Sequence, residues 1–262
     1  MNKVSVIMPC YNSENYVADS IKSVLCQTYH NLELLICDDG STDRSLEIIQ
    51  DYMSKDSRIR VFTNVYAKGA PGARNTCLDQ VTGDYVGFLD SDDLWMQDKL
   101  ERHLNFMLSN DIAFSYSHNN VINEKGDFIR MLISPDEVDA RKMRFANFIS
   151  CSTVIYNVNV VGHIHQPNIK KRNDFALWLK ILNSENVKKA VCFKDVTTSY
   201  RENSYGLSSN KIDAARYYYR CLTDYNNCSK FIAFIFLLAY IALVGLKKKF
   251  PKVYNQVVIK FF

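Results

Sequence analysis

The sequence predicts an α/β protein with a mostly parallel sheet flanked by helices, because short apolar runs and amphipathic stretches alternate along its first hundred residues. The first run, residues 4–9, is β-branched and strand-like, and apolar residues at helical spacing follow it from Val17 to Leu25. The same order repeats up to Asp90. Strands interleaved with helices of this length favour parallel pairing through crossover connections.

The remaining elements follow in chain order. Further strands are predicted at residues 32–37, 58–63 and 84–90, with helices between them, and a helix over 97–109 leads into a strand at 112–116. The alternation is lost after about residue 110. There we predict a hairpin turn at 123–127, a strand at 152–156 and a helix at 174–182. We therefore expect two halves, residues 1–110 and 111–228, and a tail over 229–262.

Composition restricts the cellular setting. The 262 residues carry a formal charge of +4, and the eight cysteines are scattered with no zinc-like spacing, which is typical of buried thiols in a reducing compartment. Only a short strand pattern follows Lys3, so no signal peptide is predicted and we expect a cytoplasmic protein. No acidic residue follows Asp224, whereas six lysines do. This asymmetry favours anionic lipid over nucleic acid as a partner.

The acidic run at the end of the fourth predicted strand is the strongest chemical signal. Asp90, Asp92 and Asp93 fall within four residues, directly behind an apolar stretch. Hard divalent cations bind such oxygen clusters, and Mg²⁺ usually completes its coordination with substrate phosphates. An acidic turn that caps the next helix is the alternative. The run by itself does not decide between them.

Five motifs occur in order at residues 4–12, 27–29, 34–43, 69–75 and 83–92. Together they resemble those of family-2 glycosyltransferases, the inverting enzymes of the GT-A fold, and in particular those of bacterial surface-polysaccharide synthesis. The resemblance implies a Rossmann-like sheet that binds a UDP-sugar in the first half. The second half would then bind the acceptor and supply the catalytic base.

The resemblance also implies roles for residues around the nucleotide. Tyr11 would stack on uracil, and Asp39 would accept a hydrogen bond from the base N–H. Pro9 and Asn12 would shape the same pocket at the strand end, and Arg74 would reach the nucleotide with a fixed positive charge. From the residues alone, an arginine on a helix surface that contacts only solvent remains the alternative for Arg74.

At the acidic run, the family pattern implies that Asp92 is the direct ligand of Mn²⁺ or Mg²⁺ bridging the diphosphate. Asp90 would lie near the ribose and assist the metal, and Ser91 would belong to the nucleotide site. Asp93 is expected to cap the following helix. Further on, Arg201 would offer a bidentate fork to phosphate. Asn203 stands where related enzymes often carry a histidine, which weakens a metal role for that segment.

The general base is expected at Asp174. The segment that starts at Asn173 resembles the family's acidic pair before an aromatic-rich helix, with asparagine in place of the first acid. A carboxylate at the mouth of the site could accept the acceptor's hydroxyl proton. Asp174 could equally be the N-cap of the helix, and the two roles are compatible.

The tail combines an apolar run, residues 231–246, with Lys247, Lys248 and Lys249. A transmembrane helix needs ~20 such residues, so the run is slightly short. We expect an interfacial helix on anionic lipid, peripheral on the cytoplasmic face of the inner membrane. A buried helix is the next alternative, and a true span is the third.

Together these observations predict a metal-dependent inverting glycosyltransferase. It would move a hexose from a UDP-sugar to a saccharide acceptor linked through a diphosphate to a lipid, in O-antigen or capsule-type (lipopolysaccharide or other polysaccharide) synthesis. A catalytically inactive protein of the same fold that binds a nucleotide sugar is one alternative. A sugar nucleotidyltransferase is another, although the glycine-rich loop that it needs is missing after the first strand at Pro9–Asn12.

Overall fold

A mixed ten-stranded sheet runs through the computed structural model, which describes residues 2–202 and 211–262. The strands are β1 (Val4–Cys10), β2 (Leu32–Asp38), β3 (Ile59–Thr63), β4 (Tyr85–Phe88), β5 (Leu94–Trp95), β6 (Phe114–Ile122), β7 (Phe128–Leu132), β8 (Glu137–Val138), β9 (Ile155–Asn157) and β10 (Ala190–Arg201). The helices are α1 (Val17–Leu25), α2 (Ser45–Lys55), α3 (Ala70–Leu78), α4 (Lys99–Ser109), α5 (Val158–Val161), α6 (Asn173–Leu182), α7 (Lys211–Tyr225), α8 (Lys230–Lys249) and α9 (Pro251–Phe261).

The strand order is β3-β2-β1-β4-β9-β6-β10-β5, with β7 beside β6 and β8 beside β10. Strands β3, β2, β1 and β4 are parallel, and β6 and β10 are also parallel to each other. The short β9 lies antiparallel between β4 and β6 and joins the two parallel groups. The predicted mixed sheet of an α/β protein is therefore confirmed.

Both faces of the sheet are covered by helices. In β1, Val6 and Met8 pack into a core with residues of α1 and α4, whereas Ile7 points the other way into a core shared with α3 and α6. Successive side chains of a strand point to opposite faces, so a strand covered on both sides must be apolar throughout. This explains why the first strands appear as continuous apolar runs.

Two predicted elements differ from the structure. The strand predicted at 112–116 is longer in the structure, because β6 continues to Ile122. It forms a hairpin with β7 there, which confirms the predicted turn at 123–127. In the predicted strand at 152–156, however, a 3-10 turn occupies Cys151–Thr153, and only β9 is extended. The side chain of Ser152 in that turn bonds to residues 90–93 after β4, which we call the acidic loop. These bonds hold the turn out of the sheet. The boundary near residue 110 stays a prediction, and the sheet continues across it.

The tail forms helices packed along one side of the body. In α8, Ala233 and Tyr240 are buried, and the ring of Tyr240 stacks on Tyr218 with centroids 4.0 Å apart. After α9, the ring of Phe262 packs against Phe148 at 4.8 Å. The opposite face of α8 exposes large apolar side chains: Phe231, Phe234, Ile235, Leu238, Ile241 and Val244. By length and composition α8 could cross a membrane, but one of its faces already packs on protein.

Candidate functional site

The predicted site residues lie where three neighbouring parallel strands end. The register pairs Cys10 of β1 with Asp38 of β2, and Ile7 of β1 with Phe88 of β4. The segments that follow these strands begin with Tyr11, Asp39 and Leu89, so all three leave the same edge of the sheet. Ligands of open α/β sheets bind beyond such carboxyl ends.

Two adjacent aspartates after β2 have different surroundings. Oδ2 of Asp38 accepts hydrogen bonds from the backbone N–H groups of Gly40 and Ser41, both at 3.1 Å, so this residue holds its own turn. Asp39 accepts from Asn64 Nδ2 at 2.6 Å and from the N–H of Gly69 at 2.7 Å. Its carboxylate is therefore fixed in place, and its role toward a base stays a prediction.

Tyr11 and Asn12 form the rim of this edge. The ring of Tyr11 is 48% exposed and is therefore available for stacking, and Nζ of Lys68 lies 4.7 Å from its centroid. Asn12 has φ of 48°, and its Oδ1 accepts from the N–H of Thr42 at 2.8 Å. Pro9 is buried near the end of β1, and its role in shaping the pocket stays a prediction.

Arg74 connects the two halves of the site. Its side chain is buried, with Nη2 paired to Oδ1 of Asp90 and Nη1 donating to Oδ1 of Asn173 at 2.8 Å. Burial by itself lowers the pKa of Arg74, but the neighbouring Asp90 carboxylate outweighs it and raises the pKa above its ordinary value. The solvated alternative for Arg74 is wrong. The guanidinium instead joins the acidic loop to the start of α6.

Asp93 fixes the acidic loop through buried hydrogen bonds. It is 1% exposed, with Oδ1 accepting from the N–H of Arg201 at 2.9 Å and Oδ2 from Oγ of Ser152 at 2.5 Å. Burial and the neighbouring Asp92 raise its pKa well above the usual range. The expectation that Asp93 caps the following helix is wrong, because α4 begins only at Lys99 and the position before it is Asp98.

The rest of the acidic loop consists of Asp90, Ser91 and Asp92. Oγ of Ser91 lies 2.8 Å from Oγ of Ser13, which ties the loop to the segment after β1. Burial, and then the nearby Asp90, raise the pKa of Asp92 to about 6. Two carboxylates that repel each other in a partly buried place form a region of negative potential. A divalent cation would relieve that repulsion.

The carboxylates of the acidic loop fit a metal ion that also takes ligands from a substrate. No group of three or more acidic, histidine or cysteine side chains converges anywhere in residues 2–202 and 211–262. One or two carboxylates are nevertheless the usual protein contribution to a Mg²⁺ that also binds phosphates. Asp92, with Asp90 beside it, could supply them. Their assignment as ligands stays a prediction.

Arg201 supports the acidic loop from the end of β10. Its Nε donates to the carbonyl of Asp92 at 2.9 Å, and its Nη1 donates to the carbonyls of Asn123 and Glu124 at 3.1 and 3.0 Å. Binding of phosphate by this side chain stays a prediction, and Nη1 would have to leave those carbonyls to take part. Asn203, which stands in the family's histidine position, lies outside the described residues.

Asp174 is the second residue of α6. The helix begins at Asn173 and its N-cap is Arg172, whose backbone is left-handed with φ of 63°, so the expectation that Asp174 is the N-cap is wrong. Oδ2 of Asp174 accepts from Nδ2 of Asn147 at 2.9 Å, and the side chain is half-buried. The structure thus places Asp174 next to the residue that holds Arg74.

Three supporting residues could not be recognised in the sequence. Ser152 bonds Asp93 and the N–H of Asp90, Asn64 bonds Asp39, and Asn147 bonds Asp174. Each lies far along the chain from its partner or in an irregular segment. Small polar residues in such segments carry no local pattern, so only the tertiary contacts reveal them.

Comparisons with known proteins agree with this geometry. Residues 5–163 match the model of glycosyl transferase family 2. The chain is 38% identical over 245 residues to the Escherichia coli protein named UDP-Glc:alpha-D-GlcNAc-diphosphoundecaprenol beta-1,3-glucosyltransferase WfgD, covering 94% of each.

Two solved structures share the fold. The structure of S. aureus TarS 1-349 in complex with UDP-GlcNAc superposes with a TM-score of 0.67 at 20% identity, over 95% of this chain and 76% of that one. The mannosyltransferase PcManGT from Pyrobaculum calidifontis, in complex with GDP-Man and Mn²⁺, gives 0.64 at 16% identity, over 99% and 81%. These likenesses confirm the GT-A fold. The family match and the extended identity show that the chain belongs to glycosyl transferase family 2 and is a glycosyltransferase.

Proposed function

We propose that the protein transfers a hexose from a UDP-sugar to a lipid-linked saccharide during synthesis of a bacterial surface polysaccharide. The observation that carries this proposal is the Arg74 bridge, which joins Asp90 of the acidic loop to Asn173 beside Asp174. This contact supports the proposal that the donor site and the base lie next to each other. The E. coli relative's name supports UDP-glucose as the donor and a GlcNAc-diphosphate lipid as the acceptor.

The donor lies along the edge of the sheet in this proposal. Uracil stacks on the exposed face of Tyr11 and bonds to Asp39, with Pro9 and Asn12 shaping the pocket. The ribose and diphosphate then extend over Ser91 toward Asp90 and Arg74. The UDP-GlcNAc held by the TarS structure, which has the same fold, supports a nucleotide-sugar at this edge.

Asp92 and Asp90 would hold the Mn²⁺ or Mg²⁺, which supplies charge neutralisation for the departing diphosphate. Burial and the neighbouring Asp90 raise the pKa of Asp92, and a cation beside the two carboxylates would favour their charged forms, which supports a metal there. The Mn²⁺ in the PcManGT structure is consistent with this use of the fold. Arg74 remains fixed on Asp90 and keeps that carboxylate in position.

Asp174 acts as the general base. One of its carboxylate oxygens takes the proton of the acceptor hydroxyl while the hydroxyl oxygen bonds to the anomeric carbon and the bond from that carbon to UDP breaks. Single displacement inverts the centre, so an α-linked donor gives a β-linked product. The hydrogen bond from Asn147 fixes one carboxylate oxygen of Asp174 and leaves the other to take the proton in this proposal.

The tail brings the enzyme to its acceptor at the cytoplasmic face of the membrane. The exposed apolar side of α8 would enter the headgroup region, and the lysines at its end would contact anionic lipid. Packing of Tyr240 and Ala233 on the body favours an interfacial helix over a spanning one. Flotation with vesicles of phosphatidylglycerol, before and after deletion of residues 229–262, tests this placement.

The transfer reaction is tested with the purified full chain and Mn²⁺ or Mg²⁺. A panel of UDP-hexoses is offered with a GlcNAc-α-diphosphate ester of a long-chain alcohol, and UDP release and product mass are followed. We expect Asp174→Asn to lower kcat by about 10²-fold or more, the usual scale for loss of a general base. Asp92→Ala should abolish metal-dependent turnover.

Asp51→Asn is the matched control, because Asp51 pairs with Lys55 on the exposed side of α2. Equal turnover by Asp174→Asn would remove the proposed base. Activity that survives chelation would remove the metal. Release of UDP without any glycosylated product would favour a protein that only binds and hydrolyses the donor.

A further inference from the structure

Four basic residues gather where the end of α8 meets the body, and we call them the cationic cluster: Arg130, Arg172, Lys247 and Lys248. Arg130 comes from β7, Arg172 precedes α6, and the two lysines end α8. None of them has a role in the site described above. They come from three separate parts of the chain, so the fold itself brings them together.

Contacts along α8 fix the position of the cluster. Tyr240 bonds to Arg172, and the guanidinium carbon lies 5.3 Å from the Tyr240 ring centroid. Lys247 is seven residues further on, two turns along the helix and about 10 Å along its axis, so it shares the face that packs on the body. Its Nζ lies 5.6 Å from the ring centroid of Tyr254.

The charges of the cluster are only partly balanced. Arg130 makes a two-point ion pair with Glu202, with N–O distances of 2.9 and 3.0 Å. Hydrogen bonds from Arg130, and then the charges of Lys248 and Lys247, lower the pKa of Glu202. Burial, followed by Arg130 and Arg172, lowers the pKa of Lys247 to about 8. Glu202 is thus the carboxylate that opposes Arg130 and Arg172 around Lys247, and a bound anion would relieve the repulsion among these cations.

The exposed side of α8 leads to Lys248, the exposed lysine of this cluster. Its large apolar side chains recur every three or four residues and form one stripe: Phe231, Phe234, Ile235, Leu238, Ile241 and Val244. Lys248 follows Ile241 by seven residues and Val244 by four, so it lies on the stripe's side of the helix, whereas Lys247 lies on the side of Tyr240. An apolar track that ends in concentrated positive charge matches an amphiphile with a long hydrocarbon chain and a strongly anionic head.

We propose that the cationic cluster binds the diphosphate of the lipid-linked acceptor while its hydrocarbon chain lies along the exposed stripe of α8. The proposal rests on the proposed function. Position supports it, because a single sugar ring separates the reacting hydroxyl from the diphosphate in such an acceptor. Arg172 is two residues before Asp174, the proposed base, so cluster and base are neighbours as the acceptor requires.

This second phosphate site is distinct from the donor site. In the proposed function the donor diphosphate belongs at Asp90 and Asp92, on the other side of the Arg74 bridge, where burial and Asp90 raise the pKa of Asp92 and a metal would supply positive charge. The cluster is positive and needs none. Binding of the acceptor here should therefore be insensitive to chelation of metal.

The test compares two double variants that each remove two charges from the tail. Lys247→Gln with Lys248→Gln changes the cluster, whereas Lys249→Gln with Lys252→Gln changes exposed lysines beside it. We expect the first pair to raise KM for the diphosphate-lipid acceptor by ~10- to 100-fold, the scale of hydrogen bonds to charged groups. The kcat, the donor KM and the turnover of a GlcNAc glycoside that lacks diphosphate should stay unchanged.

Assays in neutral detergent micelles, and again with phosphatidylglycerol vesicles, separate acceptor binding from attraction to the membrane. An equal rise in KM for both pairs, or a rise only with vesicles, would overturn the proposal in favour of general attraction to anionic lipid. Thermal unfolding of each variant checks that the fold is intact.

A binding measurement keeps this test independent of the transfer reaction. Farnesyl diphosphate, in the presence of a chelator, is titrated into the native chain and into both double variants by calorimetry, with farnesol as the uncharged control. If farnesyl diphosphate binds more weakly only to the variant with Lys247→Gln and Lys248→Gln, the result supports the cluster as a diphosphate site. This holds even if no transfer is found, and then only the proposed function has failed. Equal binding of farnesyl diphosphate by all three proteins would overturn the proposal that the cationic cluster binds the diphosphate.

Discussion

Oδ1 of Asn173 lies 2.8 Å from Nη1 of Arg74, so the first residue of α6 accepts a hydrogen bond from α3 across the cleft. The family resemblance expects an acid at position 173. The structure shows why an amide can replace it, because Arg74 already has Asp90 as its counter-charge and needs only a neutral acceptor on its other side. The departure at Asn173 is therefore compatible with an intact site.

Replacing Asn173 tests this relationship. Asn173→Ala removes the nearer of two neutral acceptors of Arg74 Nη1 and leaves only Oε1 of Gln166 at 3.4 Å. The loss of a hydrogen bond to a buried charged group costs ~1.5–3 kcal/mol, so kcat/KM should fall by about 10-fold or more. Asn173→Asp restores an acceptor and should retain most of the activity. Steady-state kinetics with thermal unfolding would check both. Equal activity of the alanine and native proteins would show that Arg74 is held without Asn173.

Ser152 is expected to stabilise the acidic loop. Its hydroxyl donates to buried Asp93 and accepts from the N–H of Asp90, so Ser152→Ala leaves polar groups of both residues unpaired. The free energy of unfolding should fall by ~1–3 kcal/mol. Urea unfolding of the variant measures this loss.

Ser54→Ala is the control for that measurement, because the Ser54 hydroxyl bonds only the nearby carbonyl of Asp51 on the exposed side of α2. An exposed hydroxyl of this kind should change stability little. If the two variants unfolded at the same urea concentration, the proposed support of the loop by Ser152 would be wrong.

The first half of the fold could be predicted because its signals are local. In β1 and β2 every residue is buried, and in α1 the stripe of Val17, Ile21 and Val24 is regular, so the period of the pattern fixes each element. At 152–156 the local pattern indicated a strand. A tertiary contact from Ser152 to Asp93, 59 residues away, decided the structure instead.

The same distinction applies to the candidate site. Tyr11, Asp39 and Asp90 follow strand ends, so motif and topology together predict that they meet at one edge. The helix-cap roles considered for Asp93 and Asp174 were wrong because capping is inferred from the next few residues, whereas the role of Asp174 as a base stays a prediction. The partners of Asp93, in contrast, come from Ser152 and Arg201. The motifs in the sequence show which acidic residues belong to the site, but only the tertiary contacts show which groups bond to them.

Metal affinity should depend on pH through Asp92. Burial and Asp90 raise its pKa to about 6, so below that pH a proton occupies the carboxylate that the metal needs. The Mn²⁺-dependent affinity for UDP should weaken by up to about tenfold for each pH unit below about 6 and level off above it. Calorimetric titration of UDP between pH 5 and 8, with Mn²⁺ or with a chelator, would measure this.

Asp92→Asn should remove that dependence together with most of the metal-supported affinity. UDP binding in the chelator is the baseline, because the terminal phosphate of UDP also takes up a proton near pH ~6. The dependence assigned to Asp92 is the part that remains after this baseline is subtracted. A metal-supported affinity that is equal at pH 5 and pH 7 would contradict the role of Asp92 as a ligand.

Stability should rise with pH because of Lys99. This side chain is fully buried, and its Nζ donates to the carbonyl of Thr153 and to Oγ1 of Thr197, both at 3.1 Å. Burial lowers its pKa from 10.5 to about 7. Between these values the unfolded chain binds a proton that the folded chain does not, so the free energy of unfolding increases as the pH rises.

Replacing Lys99 with methionine, which fills similar space without a titratable group, should remove this dependence. Between pH 7.5 and 9.5 the native protein should gain up to about 1.4 kcal/mol of stability per pH unit relative to Lys99→Met. Urea unfolding at several pH values measures the two slopes. Lys22→Met is the control, since Lys22 is exposed and 3.8 Å from Asp19, and it should keep the native slope. Parallel slopes for the native and Lys99→Met proteins would mean that Lys99 stays charged inside the fold, with the hydroxyl and carbonyl oxygens around it sufficient to solvate the ammonium.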